Sequence, residues 1–569
     1  MHTAELMLFA RVELRLHNYL HHCILSVLHI CAMSELLITA IIDNEPTWMF
    51  NWGDAFGFDH YWSHILAKSI LALYGLCLLL IFFYSVLQLS LAVNYNRHKA
   101  VKDKQPKPDF SADSAPHVTV QLPIFNEYYI AERIIEKVSR LDYPLNKLEI
   151  QVLDDSTDET KELIVRKVKE VRNEYNVDIQ HIHRTNRKGY KAGALDEALP
   201  DAKGEFVAIF DADFLPKPDF LKNTIPYFKN ENVGVVQTRW GHINKNYSLL
   251  TELQAFGLNG HFAIEQGGRS ASNHYINFNG TGGVWRKICI DSAGGWECDT
   301  LTEDLDLSYR AQMKGWKFQY LEDVVAPAEL PITMSALKGQ QHRWMKGGAE
   351  CFRKIAGQLL TKKGIRFTDR IHGLSHLFNS SVFIFILLLG LLSLPVLHIK
   401  DSFADLNYFI QFGSIFILST FFLMYYYWNS YRDKTTNKTQ SLGQFIIRFF
   451  QFLIVSMGLS LNNAVAVIEG YLGIKSSFVR TPKFNVASKS DKINNKYDKK
   501  SISLITIGEG VLFVIFAFTA INRLIYGDLG MVPFHLMLAA GYGIVFFYGI
   551  LEAKPAMFNF VPRFSTSNV

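Results

Sequence analysis

Two pairs of aspartates each follow a short apolar run of the sequence. They are Asp154 with Asp155, and Asp211 with Asp213. If the runs are strands of an open α/β sheet, the carboxylates face the crevice at the carboxyl ends of those strands, where such sheets bind ligands. Two aspartates with one residue between them can hold a hard divalent cation, which in turn can bridge phosphate oxygens. A single Asp-x-Asp is also compatible with an ordinary acidic turn.

A third acidic pair and a basic, aromatic motif lie further along the chain. Glu303 and Asp304 form the pair, and Gln340, Arg343 and Trp344 belong to the motif Gln-Gln-His-Arg-Trp. A positioned carboxylate can take a proton from a reacting hydroxyl, which typically contributes about 10²–10⁴-fold in rate. The planar guanidinium suits phosphate oxygens, and the indole offers a flat apolar face with an N–H. Taken separately, the two motifs indicate only a helix start and a helix face with a packed tryptophan.

The residues around these motifs alternate short apolar runs with charged, helix-like segments, which is typical of an α/β domain. Between about Tyr95 and Arg370 no segment is apolar enough to cross a membrane. The pattern predicts strands at 117–122, 148–153, 205–210 and 233–237, and helices at 130–140 and 160–174. The first two acidic pairs therefore stand at the ends of the second and third predicted strands.

The remaining parts of the chain carry most of its hydrophobicity. The 569 residues are 49% hydrophobic and 20% charged, with a mean hydropathy of +0.07, which suggests membrane spans joined to one large polar block. A spanning helix needs roughly 20 mostly apolar residues. We predict such helices at about 20–42, 69–94, 382–399, 407–428, 510–522 and 531–551. The segment 445–468 contains Arg448 and two asparagines, and we interpret it as interfacial or re-entrant.

Basic residues indicate the orientation of the polar block. Lysines and arginines follow residue 94 and recur at 362–370, which favours the cytoplasmic side. We expect no cleaved signal peptide. The predicted organisation is an N-terminal membrane region (1–94), a polar α/β domain (95–370), two transmembrane helices (371–430), an interfacial helix with a loop (444–500), and two more helices with a short cytoplasmic tail (501–569).

Composition excludes several classes of protein. Six scattered cysteines without a Cys-x-x-Cys spacing predict neither a disulfide framework nor a cysteine metal site. A net charge of +5 suits the cytoplasmic loops of a membrane protein better than a nucleic-acid interface, so no nucleic acid is expected as a partner. His183, His342 and the N-terminal histidines lack a ligand spacing, and we expect them to be structural.

Taken in order, the motifs match the D, DxD, TED, QxxRW series of processive family-2 glycosyltransferases. The polar block resembles the cellulose synthase superfamily, in particular the cellulose-synthase-like A and C branches and their bacterial relatives. That closer similarity rests on Phe278–Arg286, Gly315–Phe318, Glu329–Pro331 and Gln340–Trp344. The segment Phe478–Lys483 resembles the FxVTxK gating loop of bacterial cellulose synthase, with Arg480 in place of the usual valine.

The resemblance implies a GT-A α/β domain inserted between transmembrane helices, and inverting transfer of a hexose from a nucleoside diphosphate sugar. It implies that Asp211 and Asp213 hold Mg²⁺ or Mn²⁺ on the diphosphate. It also implies a set of donor-binding residues, namely Pro123, Glu127, Asp154, Asp155, Lys191, Asp211, Gln340, Arg343, Thr481 and Lys483. The competing interpretation is a solvated basic turn for Lys191, and a basic loop at the membrane surface for Thr481 and Lys483.

The same resemblance implies the acceptor side of the reaction. Asp304 is expected to be the general base, with Glu303 as the second candidate. Trp344 is expected to stack on the terminal acceptor sugar, although a tryptophan there could instead only anchor its helix in the core. Gly280 and Gly282 would let the backbone approach the acceptor, and a tight structural turn would look the same.

These implications lead to the hypothesis of a membrane-embedded, processive β-glycosyltransferase that extends a glucan- or mannan-like chain and exports it between its helices. UDP-glucose and GDP-mannose are the expected donors. The alternative is a lipid glycosyltransferase that adds one sugar to a diacylglycerol or ceramide. A transporter with a regulatory domain is disfavoured, because the predicted spans contain few ionisable residues.

The expected partners are the nucleotide sugar, a glycan acceptor and membrane lipid, and the question of accessory subunits is left open. The expected location is an integral membrane position, in a bacterial inner or plasma membrane or in the Golgi, with a cytoplasmic catalytic domain.

Overall fold

The structure is a computed structural model. It describes residues 60–102, 108–407, 413–432, 441–476, 480–486, 488, 491 and 502–553. The helix predicted at 20–42 lies outside these residues, as do Phe478 and Val479 of the predicted loop. The chain divides into two compact units. Of the described residues, the smaller unit holds 60–73 and 395–407, and the larger unit holds the rest.

The smaller unit consists of helical segments. His64 Nε2 lies 3.5 Å from Asp405 Oδ2, and the His64 ring meets the Phe403 ring edge-on, with 4.9 Å between the ring centroids.

A seven-stranded mixed sheet forms the centre of the larger unit. Its strands are β1 Val118–Ile124, β2 Leu148–Asp154, β3 Asp178–His183, β4 Phe206–Ile209, β5 Val233–His242, β6 Gly283–Arg286 and β7 Lys317–Ala328. Their spatial order is β3-β2-β1-β4-β6-β5-β7. The first four in that order run parallel, β6 is antiparallel to β4 and β5, and β5 and β7 run parallel to each other.

The strands β1, β2 and β4 are buried and largely apolar, as expected where both faces of a parallel sheet are covered. They confirm the predictions at 117–122, 148–153 and 205–210. The strand β5 begins at the predicted residue but continues to His242. Three strands were not predicted, because β3 and β7 contain charged residues and β6 has only four residues.

Helices pack on both faces of this sheet. Along β4, Ala208 belongs to one hydrophobic cluster, while Val207 and Ile209 belong to the cluster on the opposite face. The helices of this part are α1 His60–Lys102, α2 Ala131–Ser139, α3 Thr160–Tyr175, α4 Tyr190–Ala198, α5 Phe220–Thr224, α6 Leu249–Asn259, a π-helix Gly260–Gln266, α7 Gly267–Ala271, α8 Lys287–Ser292, α9 Glu303–Met313 and α10 Met334–Thr361. The helices α2 and α3 confirm the two helix predictions.

Seven α-helices, most of them apolar, follow the sheet in the described part of the chain. They are α11 Phe367–Phe378, α12 Val382–Ser402, α13 Ser414–Tyr431, α14 Leu442–Gly458, α15 Ser460–Leu472, α16 Leu504–Ile525 and α17 Val532–Ala553. Among the described residues, four stretches are long and apolar enough to cross a membrane, namely Trp62–His98, Phe367–Ser402, Leu504–Ile525 and Val532–Ala553.

The two remaining predicted segments differ from simple spans. The helices α14 and α15 meet at a bend of 51°, so the segment predicted at 445–468 is either one broken span or a re-entrant loop. The helix predicted at 407–428 is described from Ser414, and α13 is not among the four apolar stretches. Its second half contains three consecutive tyrosines, Tyr425–Tyr427, which lower its hydropathy.

Candidate active site

A deep cleft opens at the carboxyl ends of β1, β2 and β4. Its volume is about 240 Å³. It brings together most of the residues that the sequence predicts for the site, which are Pro123, Glu127, Asp155, Lys191, Asp211, Asp213, Gly280, Glu303, Asp304, Gln340, Arg343, Trp344, Thr481 and Lys483. Residues more than 350 positions apart in the sequence therefore line one cavity.

Asp211 and Asp213 follow β4 and face lysines from two different segments. Lys191 Nζ lies 2.6 Å from Asp211 Oδ1 and donates to the carbonyl oxygen of Gly280 at 2.8 Å. Lys483 Nζ lies 2.7 Å from Asp213 Oδ2. Lys191 is therefore held inside the site rather than in a solvated turn.

Charge and burial act against each other in this group. Burial raises the pKa of Asp211 and Lys191 lowers it, and the pKa remains above its ordinary value. Burial lowers the pKa of Lys191, but the carboxylates of Asp211, Glu303 and Asp304 together outweigh burial, and the pKa is raised. The donor set at Asp211 and Asp213 consists of carboxylate oxygens, which fits a hard cation such as Mg²⁺ or Mn²⁺.

The third acidic pair begins α9. Glu303 and Asp304 lie in the first turn of this helix. Gly280, at a φ of +77°, approaches so closely that an added Cβ would lie 3.2 Å from Asp304 Oδ2. Burial and the charge of Glu303 raise the pKa of Asp304 to about 7, although Lys191 lowers it. This carboxyl group is thus suited to exchange a proton near neutral pH.

The helix α10 supplies the opposite wall of the cleft. Burial lowers the pKa of Arg343 to about 10, and its Nη2 donates to Thr481 Oγ1 at 2.7 Å. Trp344 is half-buried, with its ring centroid 6.4 Å from that of Trp240. Because its side chain lines the cleft, Trp344 is not simply an anchor in the core.

The segment 480–486 lies over the cleft, and its basic side chains reach the acids of the site. Arg480 Nη1 is 2.5 Å from Glu127 Oε2. Burial raises the pKa of Glu127 to about 7, with Arg480 acting in the opposite direction. Lys483 also donates to the carbonyl oxygen of Glu329, whose Oε1 accepts the N–H of Phe484 at 2.7 Å. Thr481 and Lys483 are both buried, so this segment does not form a loop exposed at a membrane surface.

Two predicted site residues, Asp154 and Gly282, do not line the cleft. Asp155 faces it and pairs with Arg184 through two hydrogen bonds of 2.8 and 2.7 Å, whereas Asp154 points to His181 and His183. Successive side chains of a strand point to opposite faces, so the two aspartates cannot both face the nucleoside. Gly282, at a φ of +66°, donates its N–H to the carbonyl oxygen of Ile209 at 2.9 Å and forms the turn into β6.

Several residues of the cleft were not predicted from the sequence. The Arg187 guanidinium carbon lies 3.3 Å from the centroid of the Phe125 ring, and both residues line the cleft beside Glu127. Asn279 and Trp240 line it too. Phe125 precedes Asn126-Glu127, and Asn279 stands in the Phe278–Arg286 motif. Their positions beside predicted site residues could therefore have indicated that Phe125 and Asn279 line the site. Trp240 lies in the unpredicted extension of β5.

A second groove adjoins the cleft. It has a volume of about 190 Å³ and shares Leu258, Gln340 and Trp344 with the cleft. Its other walls come from α6, α10 and the apolar helices, including Gly257, Phe383, Tyr427, Phe452, Ser456 and Asn463. The groove therefore meets the cleft at Trp344 and is lined elsewhere by the apolar helices.

A sequence profile described as "Glycosyltransferase like family 2" matches residues 115–347, which contain the sheet and most of the cleft. Together with the relatives below, this match shows that the chain belongs to the family-2 glycosyltransferases. The predicted GT-A-like fold with flanking apolar helices is confirmed.

The chain is similar to curated plant proteins. It is 38% identical over 347 residues to "Glucomannan 4-beta-mannosyltransferase 1" of Oryza sativa subsp. japonica, across 58% of this chain and 67% of the relative. It is 42% identical over 268 residues to "Glucomannan 4-beta-mannosyltransferase 2" of Arabidopsis thaliana, across 46% of this chain and 50% of the relative. The matched region thus spans between half and two thirds of these relatives' lengths.

Among solved structures, the chain is similar to the mannosyltransferase PcManGT from Pyrobaculum calidifontis, in complex with GDP-Man and Mn²⁺. It is 21% identical, with a TM-score of 0.43, and the match covers 64% of this chain and 99% of that one.

Proposed function

We propose that the chain is a membrane-embedded, inverting and processive β-glycosyltransferase. It transfers a hexose from a nucleoside diphosphate sugar to the end of a growing β-linked polysaccharide. The observation that carries this proposal is the convergence of the acidic pairs, Arg343 and Trp344 in one cleft that continues into a groove between apolar helices.

The reaction is a single displacement. The acceptor hydroxyl oxygen forms a bond to C1 of the donor hexose, and Asp304 takes the hydroxyl proton. The bond between C1 and the diphosphate oxygen breaks, and its electron pair leaves with the nucleoside diphosphate. Since attack comes from the face opposite the leaving group, the configuration at C1 inverts.

Fixed positive charge on the donor side favours departure of the leaving group. Lys191 and Arg343 line the cleft near Asp211 and provide preorganised charge for the diphosphate. Asp211 and Asp213 would hold Mg²⁺ or Mn²⁺, which supplies further positive charge to the diphosphate when bound. Asp155, Glu127 and Pro123 also line the cleft, and we assign them to the nucleoside.

The acceptor binds on the other side of the general base. The Trp344 indole stacks on the terminal sugar, and the growing chain passes along the groove toward the membrane helices. The polar α/β domain faces the cytoplasm, and lipid covers the outward residues of the apolar helices. Export of the product follows from this path, which starts at the reaction centre.

The donor sugar is the remaining part of the proposal. Because the curated relatives are named glucomannan 4-beta-mannosyltransferases, GDP-mannose is the first donor to test, with UDP-glucose as the second.

The test is a donor screen on the full chain purified in detergent. GDP-mannose, UDP-glucose and UDP-galactose are each supplied with Mg²⁺ or Mn²⁺, and release of the nucleoside diphosphate is measured with and without a chelator. We expect release with one of the first two donors and its loss on chelation. Release from none of them would contradict hexose transfer, and release in the chelator would remove Asp211 and Asp213 from their proposed role.

A further inference from the structure

A second group of metal-ligating side chains lies at the edge of the sheet, outside the cleft. His181 and His183 stand two residues apart on the edge strand β3, so both imidazoles project from the same face. Asp154 ends β2 and is paired in register with His183. The three side chains therefore meet where the two strands end.

The atoms of this group are arranged as ligands of a small cation. Asp154 Oδ2 lies 2.9 Å from His181 Nε2 and 3.2 Å from His183 Nδ1, and all three atoms lie within 4.8 Å of one another. Ligands at Zn–N and Zn–O distances of about 2.0–2.1 Å in a tetrahedral site lie roughly 3.3 Å apart. Only small side-chain movements separate the observed arrangement from coordination.

The carboxylate is held in place by a partner of its own. The N–H of Ser156 donates to Asp154 Oδ1 at 2.8 Å, which leaves Oδ2 directed at the two imidazoles. Hydrogen bonds of this kind orient a metal ligand and are part of most metal sites.

Charge also favours a cation here. Asp154 is fully buried. Within the described part of the chain, no lysine or arginine forms an ion pair with it. A buried carboxylate without an opposite charge is costly.

A neighbouring acidic cluster provides a contrast. Glu297, Asp299 and Asp306 also lie close together, but Lys354 Nζ already lies 2.5, 2.7 and 3.1 Å from their oxygens. That cluster is compensated by an ammonium group, whereas the group around Asp154 is not.

We propose that Asp154, His181 and His183 bind one divalent transition metal of the zinc class, at a site separate from Asp211 and Asp213. Two nitrogens and one oxygen suit Zn²⁺, whereas the all-oxygen set in the cleft suits Mg²⁺ or Mn²⁺. The two histidine side chains are 16% and 19% exposed, so an ion and a water as fourth ligand can reach the site.

The site would fasten the edge strand β3 to β2. Arg184 follows His183 directly and binds Asp155 in the cleft. A metal at Asp154 would therefore support the nucleoside end of the cleft without contacting the donor.

The test measures metal binding rather than activity. The full chain is purified in detergent, freed of metal, and titrated with Zn²⁺ against a chromophoric chelator, and with Co²⁺ while the visible absorption is recorded. We expect one tightly bound equivalent of Zn²⁺ and the intense visible bands of four-coordinate Co²⁺. We also expect Zn²⁺ to raise the Tm, because it binds the folded chain.

Matched variants assign the binding to this site. The double variant His181→Gln/His183→Gln keeps amide donors near Asp154 but removes both imidazole ligands. Loss of a residue that only hydrogen-bonds to a metal ligand already lowers metal affinity by roughly tenfold, so we expect the Zn²⁺ affinity of this variant to fall by at least that factor. The exposed His117→Gln and the cleft variant Asp211→Asn/Asp213→Asn should both bind Zn²⁺ like the unaltered chain.

Two results would overturn the proposal. One is unchanged Zn²⁺ affinity in the double histidine variant. The other is the absence of the intense Co²⁺ bands and of a Zn²⁺-dependent Tm in the unaltered chain, a result that stands even if the variant fails to fold. Since the cleft variant should be inactive yet bind Zn²⁺, this outcome is independent of the proposed glycosyl transfer.

Discussion

At the scale of single residues, the environment of Asp304 suits the general-base role that we propose for it. Its carboxylate lies near the backbone of Gly280 and close to Lys191, in the first turn of α9. Burial and Glu303 raise its pKa to about 7. A base acts best when its pKa is near the working pH. These features favour Asp304 over Glu303, which remains the second candidate.

Replacing Asp304 by Asn removes the proposed base and keeps the shape of the side chain. We expect kcat to fall by about 10²–10⁴-fold, the usual contribution of general-base catalysis, while the donor Kd changes little. Nucleoside diphosphate release and donor binding by calorimetry measure the two effects. The exposed Asp291→Asn serves as the control. A fully active Asp304→Asn variant would exclude the assignment.

The pH dependence should report the same group. A base with a pKa of about 7 is ionised above that pH, so activity should rise with pH through about 7 and be lost below it as the carboxylate is protonated. Glu303→Gln removes the neighbouring negative charge that raises the pKa of Asp304. We expect the acid limb of the kcat profile to move to lower pH, by on the order of one unit. Loss of all activity in Glu303→Gln would instead make Glu303 the base.

At the scale of elements, the segment 480–486 connects distant parts of the site. Arg480 pairs with Glu127, Thr481 accepts from Arg343, and Lys483 joins Asp213 to Glu329. Its basic side chains therefore offset the negative charge of the cleft. A donor diphosphate and its metal would meet these same groups.

Lys483→Ala should weaken donor binding. The variant loses a charge-assisted bond of about 1.5–3 kcal/mol, equivalent to roughly 10–100-fold in affinity. We expect the donor KM to rise by about that factor, with a smaller change in kcat. Steady-state kinetics with varied donor measures both, and the exposed Lys475→Ala nearby is the control. An unchanged donor KM would mean that the segment does not contact the donor.

Apolar runs were enough to predict the strands that carry the acids. The strands β1, β2 and β4 are nearly continuous in buried residues, and that burial is what a sequence pattern records. The strand β3 reads Asp-Ile-Gln-His-Ile-His, a half-exposed edge without a clear pattern. Because β3 was not predicted, the contact of Asp154 with the histidines of that strand could not be foreseen. The position of Asp154 beside Asp155 in the sequence suggested instead that the two aspartates share a role. Alternation along a strand would have separated them.

Contacts between motifs could be predicted only in part. The family pattern indicated that Lys191, Asp211 and Asp304 share a site, but not that Arg480 would meet Glu127. That pair depends on how a segment after α15 returns to the sheet, and local sequence does not encode such a path. The stacking of Arg187 on Phe125 is likewise a tertiary contact.

At the scale of the whole molecule, α10 links the reaction centre to the membrane helices. It carries Arg343 and Trp344 in the cleft and, one or two turns earlier, Lys338, whose Nζ lies 2.7 Å from Glu509 Oε2 on α16. Both side chains are almost completely buried. This ion pair joins α10, which lines the cleft, to an apolar helix.

Removing one member of that pair should destabilise the protein strongly. In Lys338→Met the Glu509 carboxylate stays buried without its ammonium partner, which typically costs about 3–5 kcal/mol. We expect a clearly lower Tm in detergent for this variant, and substantial recovery in the double variant Lys338→Met/Glu509→Leu, because both charges are then gone. A single variant as stable as the unaltered chain would show that the pair does not join the two parts.

The length of the product tests whether the protein extends a polysaccharide or transfers a single sugar. The full chain in lipid vesicles is incubated with labelled GDP-mannose or UDP-glucose and metal, and the products are sized after treatment with a linkage-specific β-glycanase and without it. We expect a long β-linked polymer that the matching enzyme degrades, even when donor turnover is low. A single labelled glycolipid band that does not lengthen with time would contradict it.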